Sequence, residues 1–161
     1  MILVALGTQD KGFPRLIEAV ETQVKLGNIK EKVIVQAGST KYKSDILEIF
    51  DYIPIDEFKK HIENARVIIT HSGVGTIISG LNNNKKLIVA PRLKKYKEHV
   101  NDHQLQILEN FSEEGYVLPL VDFSKLEEVL KQVETFTPKE FVSNNENFLE
   151  KLKKEIDKYL I

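Results

Sequence analysis

Short apolar runs alternate with helix-length amphipathic segments along this chain, and this alternation constrains the fold more than any other feature. The runs at 2–6, 32–35, 66–70 and 87–90 are short and rich in Ile and Val, as in strands covered on both faces. The segments between them repeat apolar residues at helical spacing. Parallel strands connected by helices make right-handed crossovers. The sequence therefore predicts an α/β fold with a Rossmann-like parallel sheet and helices on both faces.

The boundaries of the predicted elements follow from the same pattern. Helices are expected at 13–24, 54–65, 76–81, 100–111 and about 145–160, and a last short strand at 116–118. A chain of 161 residues with 42% hydrophobic residues can bury one sizeable core. No repeat or flexible linker divides it. We expect residues 1–161 to form a single α/β domain.

Charge and composition exclude several classes of protein. The 23 basic and 24 acidic residues nearly cancel, which argues against a surface built to neutralise nucleic acid. Without cysteine there is no disulfide, thiolate metal site or cysteine nucleophile. The apolar N-terminal run stops at Gly7, too early for a signal peptide or a membrane span. We expect a cytoplasmic protein that binds no nucleic acid.

Glycines follow two of the predicted strands. Gly7 follows the first, and Gly73 and Gly75 lie in "HSGVGTIISG" (71–80), which opens the next helix. In this fold class ligands bind beyond the carboxyl ends of the strands. A helix N-terminus offers free amides there, and glycine lets a phosphate approach them. The pattern predicts a phosphate site, although neither a P-loop nor a complete dinucleotide motif is present. Glycines that only let a helix pack on a strand are the alternative.

Cations and then polar side chains follow the strand at 87–90. The cations are Arg92, Lys94, Lys95 and Lys97, and the polar residues are Asn101, Asp102, His103 and Gln104. The cations could steer an anionic ligand, and the polar groups could bond sugar hydroxyls. A solvated basic loop is the alternative.

Three motifs together resemble a known family. They are "THSGVGT" (70–76), "VAPR" (89–92) and "EHVNDHQ" (98–104). Their combination resembles the C-terminal, nucleotide-sugar-binding half of inverting glycosyltransferases with the GT-B fold, the glycosyltransferase 28 family. The likeness covers about residues 2–121. It is strongest to short bacterial capsule and exopolysaccharide subunits and to the catalytic subunit of the eukaryotic dolichol-linked UDP-GlcNAc transferase.

The resemblance implies a donor site. Gly7 and Thr8 match a glycine loop near the diphosphate, and Tyr52 and Ile53 match the main chain that meets uracil. The diphosphate turn matches Ser72, Gly73, Val74, Gly75 and Thr76. The donor sugar is expected to meet Asp102, His103 and Gln104, with Arg92 as a further binding residue. Ser79 stands where many members have a glutamate that holds the ribose.

The resemblance also implies an activity and a partner. A complete GT-B enzyme has two Rossmann-like domains, and one is recognisable here. We expect the catalytic, donor-binding subunit of a two-part inverting enzyme that moves a hexose from a UDP-sugar to a lipid-linked acceptor in capsule or exopolysaccharide synthesis. A membrane-associated acceptor-binding partner would hold it at the inner face of the membrane. No cofactor or metal is expected. Asp10 and His71 are candidate general bases, unless the partner supplies the base.

Other functions and one other placement stay open on the sequence alone. The chain could be a non-catalytic UDP-sugar-binding or activating subunit. It could also be a metal-dependent hydrolase, because His99 and His103 are spaced to share a helix face and His71 could join them. The helix at about 145–160 carries an apolar stripe of Phe148, Leu152 and Ile156. This stripe could pack on its own domain or dock on the partner.

Overall fold

The computed structural model describes residues 1–142 and 146–157, which form a six-stranded sheet covered by helices. The strands are β1 (Ile2–Ala5), β2 (Val33–Gln36), β3 (Glu48–Phe50), β4 (Val67–His71), β5 (Lys86–Ala90) and β6 (Leu118–Pro119). The helices are α1 (Pro14–Lys25), α2 (Ile55–Asn64), α3 (Val74–Asn82), α4 (His103–Glu113), α5 (Leu126–Thr135) and α6 (Glu146–Asp157).

All strand pairs are parallel, in the order β3-β2-β1-β4-β5-β6. The first strand lies at the centre, where Ile2 is in register with Val33 on one side and Val67 on the other. The chain winds outward from β1 to β3, returns to β4, and winds outward again. The predicted Rossmann-like sheet is confirmed. The order reverses between β1 and β4, and ligands of open α/β sheets bind at such a reversal.

Each face of the sheet carries its own apolar layer, because successive strand side chains point to opposite faces. Ile2 and Val4 pack in a layer with residues of α1 and α5. Leu3 packs in the other layer with residues of α2, α3, α4 and α6. The strands β1, β2 and β4 are buried along their whole lengths, which explains why their sequences are almost continuously apolar.

Sequence signals set several element ends. Pro14 occupies the start of α1, where its fixed φ and missing N–H suit a helix. The chain then turns through Gly27, whose φ of +79° is accessible to glycine. Asp56 and Glu57 lie in the first turn of α2, where the helix dipole favours negative charge.

The structure differs from the sequence prediction at two strands. The edge strand β3 is absent from the prediction because it has three residues and Ile49 is its half-buried centre. It forms by pairing with β2, where Ile49 is in register with Val35. The predicted strand at 116–118 is instead β6 at Leu118–Pro119, and the side chain of Tyr116 is buried in the core.

The helix predicted over 100–111 begins only at His103. The preceding residues form bends, held by side-chain bonds to the main chain. The N–H of His103 donates to Oδ1 of Asn101 at 3.1 Å, and the N–H of Lys94 donates to Oδ1 of Asp102 at 2.8 Å. Such local bonds compete with helical ones, so α4 starts one turn later than its periodicity predicts.

The terminal helix is confirmed over Glu146–Asp157, and the predicted positions 145 and 158–160 lie outside the described residues. Its stripe packs inward on this chain. Phe148 is 3% exposed, with its ring centroid 5.1 Å from that of Phe111 and 5.2 Å from that of Tyr116. The structure therefore supports packing on the chain's own surface. In the part of the chain that the structure describes, no helix combines the length and apolarity that a membrane span requires.

Candidate functional site

A cleft of about 410 Å³ opens at the reversal of strand order, where the chain leaves β1 and β4. Small-molecule sites in proteins usually have volumes of about 300–1,000 Å³. The lining residues come from the ends of these strands, from β2 and from the starts of α2 and α3. They are Gly7, Thr8, Gln9, Gln36, Ile53, Ile55, Phe58, His71, Gly73, Gly75 and Thr76.

The N-terminus of α3 opens into this cleft. Gly73 is the residue before the helix, and no side chain of the described residues caps it. The first turn of α3 contains no acidic residue. Gly75 and Thr76 of that turn line the cleft. A Cβ atom on Gly75 would meet nothing within 4 Å, so the missing side chain leaves open space. The free amides and the positive end of the helix dipole together favour a bound anion.

His71, the last residue of β4, lies between two glycine turns. A Cβ atom on Gly73 would lie 2.5 Å from Cε1 and Nε2 of the His71 ring, and one on Gly7 would overlap the same ring. Gly7 also has a φ of +78°, which other residues rarely adopt. Both glycines therefore make room for the ring. The alternative role for glycine is to let a helix pack closely on a strand. Gly80 has this role, because a Cβ atom there would lie 2.9 Å from Leu87.

The environment of His71 does not favour it as a general base. The side chain is 6% exposed, and burial together with the charge of Arg92 lowers the pKa of His71 to about 3. A base this weak accepts a hydroxyl proton poorly near neutral pH. Asp10, the other candidate base, is exposed and does not line the cleft. Neither prediction of a general base gains support from the geometry.

Gln104 and Arg92 lie behind His71 instead of at the cleft surface. Oε1 of Gln104 accepts from the N–H of Arg92 at 3.0 Å, and its Nε2 lies 3.2 Å from Nδ1 of His71. Arg92 is 1% exposed, and its guanidinium donates to the carbonyls of Leu6 and Lys11, the latter at 2.7 Å. Both side chains are buried and bonded within the protein, and the direct donor contacts that the sequence predicts for them stay predictions.

His99 and His103 form a pair beside the cleft. Their ring centroids are 4.5 Å apart in an edge-to-face arrangement. Nδ1 of His99 accepts from the N–H of Asn101 at 3.3 Å, its Nε2 lies 3.1 Å from Nε2 of Gln9, and Nδ1 of His103 is hydrogen-bonded to Oδ1 of Asn101. Burial lowers the pKa of both rings. The predicted shared helix face is wrong because His99 precedes α4.

Comparison of the sequence with models of protein families gives the family of this chain. The model described as "Glycosyltransferase family 28 C-terminal domain" matches residues 1–159. The chain belongs to this family. The resemblance seen in the sequence motifs is thereby confirmed over almost the whole chain.

Individual proteins are also similar to this chain. The UDP-N-acetylglucosamine transferase subunit ALG13 of Candida albicans (strain SC5314) is 32% identical over 110 residues, covering 68% of this chain and 32% of that protein. The match thus spans about a third of that relative's length. The NMR structure of ALG13 has 22% identity, covers 94% of each chain and gives a TM-score of 0.59. CalG4, the calicheamicin glycosyltransferase, has 16% identity, covers 97% of this chain and 38% of its own, and gives a TM-score of 0.60. These two structures show the fold.

The remaining positions matched to the family 28 motifs differ in their access to the cleft. Those that line it are Gly7, Thr8, Ile53, Gly73, Gly75 and Thr76. Val74, Ser79 and His103 are half-buried and Asp102 is exposed, and none of them lines the cleft. Ser72 is fully buried, and its hydroxyl has no hydrogen-bond partner among the described residues. The described parts, 1–142 and 146–157, contain no group of three or more His, Cys, Asp or Glu side chains that could hold a metal ion.

One end of the cleft has an apolar wall, of which the sequence predicts only Ile53. Ile55 and Phe58 of α2 line it beside Ile53, and the N–H of Ile53 donates to Oε1 of Gln36 at 2.8 Å. That N–H is therefore already occupied in this structure. The sequence signal for Gln36 is that it is the polar residue that ends the apolar run of β2. Ile55 is 70% exposed, which periodicity alone does not reveal.

Proposed function

We propose that this chain is the donor-binding, catalytic subunit of a two-part inverting glycosyltransferase that takes a hexose from a UDP-sugar. One observation carries the proposal: the uncapped N-terminus of α3, the turn at Gly7 and the ring of His71 meet in a single cleft at the reversal of strand order. Family 28 membership supports the reaction class. The name of its relative, a UDP-N-acetylglucosamine transferase subunit, supports a UDP-sugar as the donor.

The two ends of the cleft have different chemistries that match the two ends of UDP. The amides at the start of α3 would hold the diphosphate, since they present N–H donors and a positive partial charge. The wall of Ile53, Ile55 and Phe58 would take the flat face of the uracil, and the amide of Gln36 lies beside it.

The reaction is a displacement at the anomeric carbon. An acceptor hydroxyl forms the new C–O bond on the face opposite the diphosphate, and the bond from this carbon to the phosphate oxygen breaks. UDP leaves with the electron pair, and the preorganised N–H donors stabilise its growing charge. This step needs no divalent ion, because the start of α3 supplies the positive partial charge. The hydroxyl proton passes to a base outside this cleft.

A partner subunit would complete the active site. The chain aligns with 38% of CalG4, and ALG13 is named as a subunit. We infer a membrane-associated partner that binds a lipid-linked acceptor, supplies the base and holds this chain at the inner face of the membrane. The resemblance to capsule and exopolysaccharide subunits supports a lipid-linked glycan as the acceptor.

Two substitutions of Gly75 test the donor site. The Cβ atom of either side chain fits, because one built there meets nothing within 4 Å among the described residues. Gly75→Glu places a carboxylate in the first turn of α3, which favours the helix but repels a diphosphate. Calorimetry in EDTA is expected to show UDP and UDP-N-acetylglucosamine binding to wild type and Gly75→Ala, with affinity at least about tenfold lower in Gly75→Glu.

The controls separate the parts of the proposal. GDP tests recognition of the base, and urea unfolding checks that Gly75→Glu is as stable as Gly75→Ala. Failure of wild type to bind UDP, or equal binding by both variants, would refute the donor site. Binding without sugar transfer in the presence of the acceptor-binding partner would instead identify a non-catalytic subunit.

A further inference from the structure

Two hydrogen bonds behind the cleft connect Arg92, Gln104 and His71, and the main-chain N–H at one end determines which atoms donate. The main-chain N–H of Arg92 lies 3.0 Å from Oε1 of Gln104, and Nε2 of the same amide lies 3.2 Å from Nδ1 of His71. All three residues are buried. A main-chain N–H can only donate. The atom of Gln104 that faces it is therefore the amide oxygen, and the amide NH₂ group faces His71.

This orientation of Gln104 selects one tautomer of His71. An amide NH₂ group only donates, so Nδ1 of His71 has to accept. The ring is neutral at pH 7, because burial lowers its pKa, and a neutral imidazole carries one N–H. The proton consequently lies on Nε2. His71 is thus a hydrogen-bond donor on the edge that faces away from Gln104.

The Nε2 edge of His71 belongs to the cleft. The ring lines the cleft between Gly7 and Gly73. Within the described part of the chain, Nδ1 is the one nitrogen of this ring with a hydrogen-bond partner. A donor without a partner among the described residues, on a side chain that lines the cleft beside the first turn of α3, fits an oxyanion.

We propose that Gln104 is a positioning residue for donor binding: it holds the proton of His71 on Nε2, where the ring donates to an oxygen of the donor diphosphate. This inference rests on the proposed function. It adds a role for Gln104 to the direct sugar contact that the family resemblance implies. The N–H of Arg92, just after β5, ties the amide to the sheet.

The tautomer can be measured by imidazole ¹⁵N NMR on the unliganded protein at pH 7. Wild-type His71 is expected to show a protonated Nε2 and an unprotonated Nδ1. Gln104→Glu keeps one oxygen for the N–H of Arg92 and turns a second oxygen towards Nδ1, so the proton should move to Nδ1. The affinity for UDP, measured by calorimetry, should then fall by about tenfold or more.

Two further variants separate the tautomer from other effects. Gln23→Glu makes the same change at another buried glutamine, on α1, whose Oε1 accepts from Nδ2 of Asn28 at 2.8 Å, and it should bind UDP like wild type. Gln104→Leu removes the amide without adding charge. Its ring should populate both tautomers, and its affinity should lie between those of wild type and Gln104→Glu.

The outcomes distinguish this inference from the proposed function. A wild-type ring protonated on Nδ1, or a Gln104→Glu variant that binds UDP as tightly as wild type, overturns the inference and leaves the proposed function standing. Absence of UDP binding by wild type overturns both. Should Gln104→Glu fail to fold, the wild-type NMR spectrum and Gln104→Leu still decide.

Discussion

Gly73→Ala tests whether glycine is needed beside His71, and its cost can be worked out from the structure. The added Cβ atom would lie 2.5 Å from Cε1 and Nε2 of the ring, whereas ordinary contacts begin at 3.4 Å. The ring would have to move by about 1 Å, and it is buried and bonded to Gln104 at 3.2 Å. Overpacking of this kind costs about 1–3 kcal/mol. The φ of Gly73 is −90°, so alanine adds no backbone strain.

A double-mutant cycle isolates this cost from the general effects of replacing glycine. Urea unfolding at pH 7, followed by circular dichroism, is measured for wild type, Gly73→Ala, His71→Ala and the double variant. Without the ring, the alanine has room, so the cost of Gly73→Ala should nearly disappear in the His71→Ala background. The coupling free energy should be about 1–3 kcal/mol. Gly75→Ala, in open space, should show a coupling below about 0.5 kcal/mol.

The cycle has one result that would refute the reasoning. If Gly73→Ala lowers the free energy of unfolding equally with and without the imidazole, the ring does not explain the glycine. In that case Gly73 would be required by the ligand or by the loop itself.

Two further predictions concern buried ionisable groups. The pKa of His71 is about 3 in the folded protein against an ordinary 6.5, so the unfolded state binds more protons below pH 6.5. The free energy of unfolding should therefore fall by about 2 kcal/mol from pH 7 to pH 5 because of this ring alone. Urea unfolding of His71→Ala should show a weaker dependence on pH than that of wild type. Glu98 is buried and accepts from Nε and Nη2 of Arg15 at 3.0 and 2.9 Å, so Glu98→Gln should lower the free energy of unfolding by about 1.5–3 kcal/mol. Glu113→Gln, at the exposed pair with Lys151, is the matched control, and a change as large as that of Glu98→Gln would contradict the burial argument.

The central sheet could be predicted from the sequence because burial on both faces leaves a local trace. The strands β1, β2, β4 and β5 read as apolar runs, and each ends at a glycine, proline or polar residue. The edge strand β3 leaves no such trace, since two of its three residues are exposed. It becomes a strand only through its pairing with β2, a non-local contact that periodicity does not encode.

The position of the cleft could also be predicted from the sequence. Which side chains face the cleft and which face the protein interior could not. Glycines after β1 and β4 mark the cleft correctly. Arg92 looks like one of four cations in a loop, yet it turns inward because the carbonyls of Leu6 and Lys11 accept from it. Gln104 looks like a polar residue at a helix start, yet its partners are the ends of β4 and β5. These contacts join segments far apart in sequence.

In the proposed donor site, one set of groups would bind the anion and another set would attract it from solution. The donors of the proposed site are neutral: the amides of α3 and the N–H that we assign to Nε2 of His71. The lysines of the neighbouring loop, Lys94, Lys95 and Lys97, are exposed. Salt screens exposed charges but weakens buried dipoles little, so at the proposed donor site the lysines would act on encounter with a diphosphate and the dipoles would act on its retention. A buried cation at the same place would instead carry a desolvation cost whenever the cleft is empty. Hydrogen bonds from the guanidinium of Arg92 to main-chain carbonyls offset part of this cost, although burial still lowers the pKa of Arg92 to about 10. The ring of His71 avoids the cost by staying neutral.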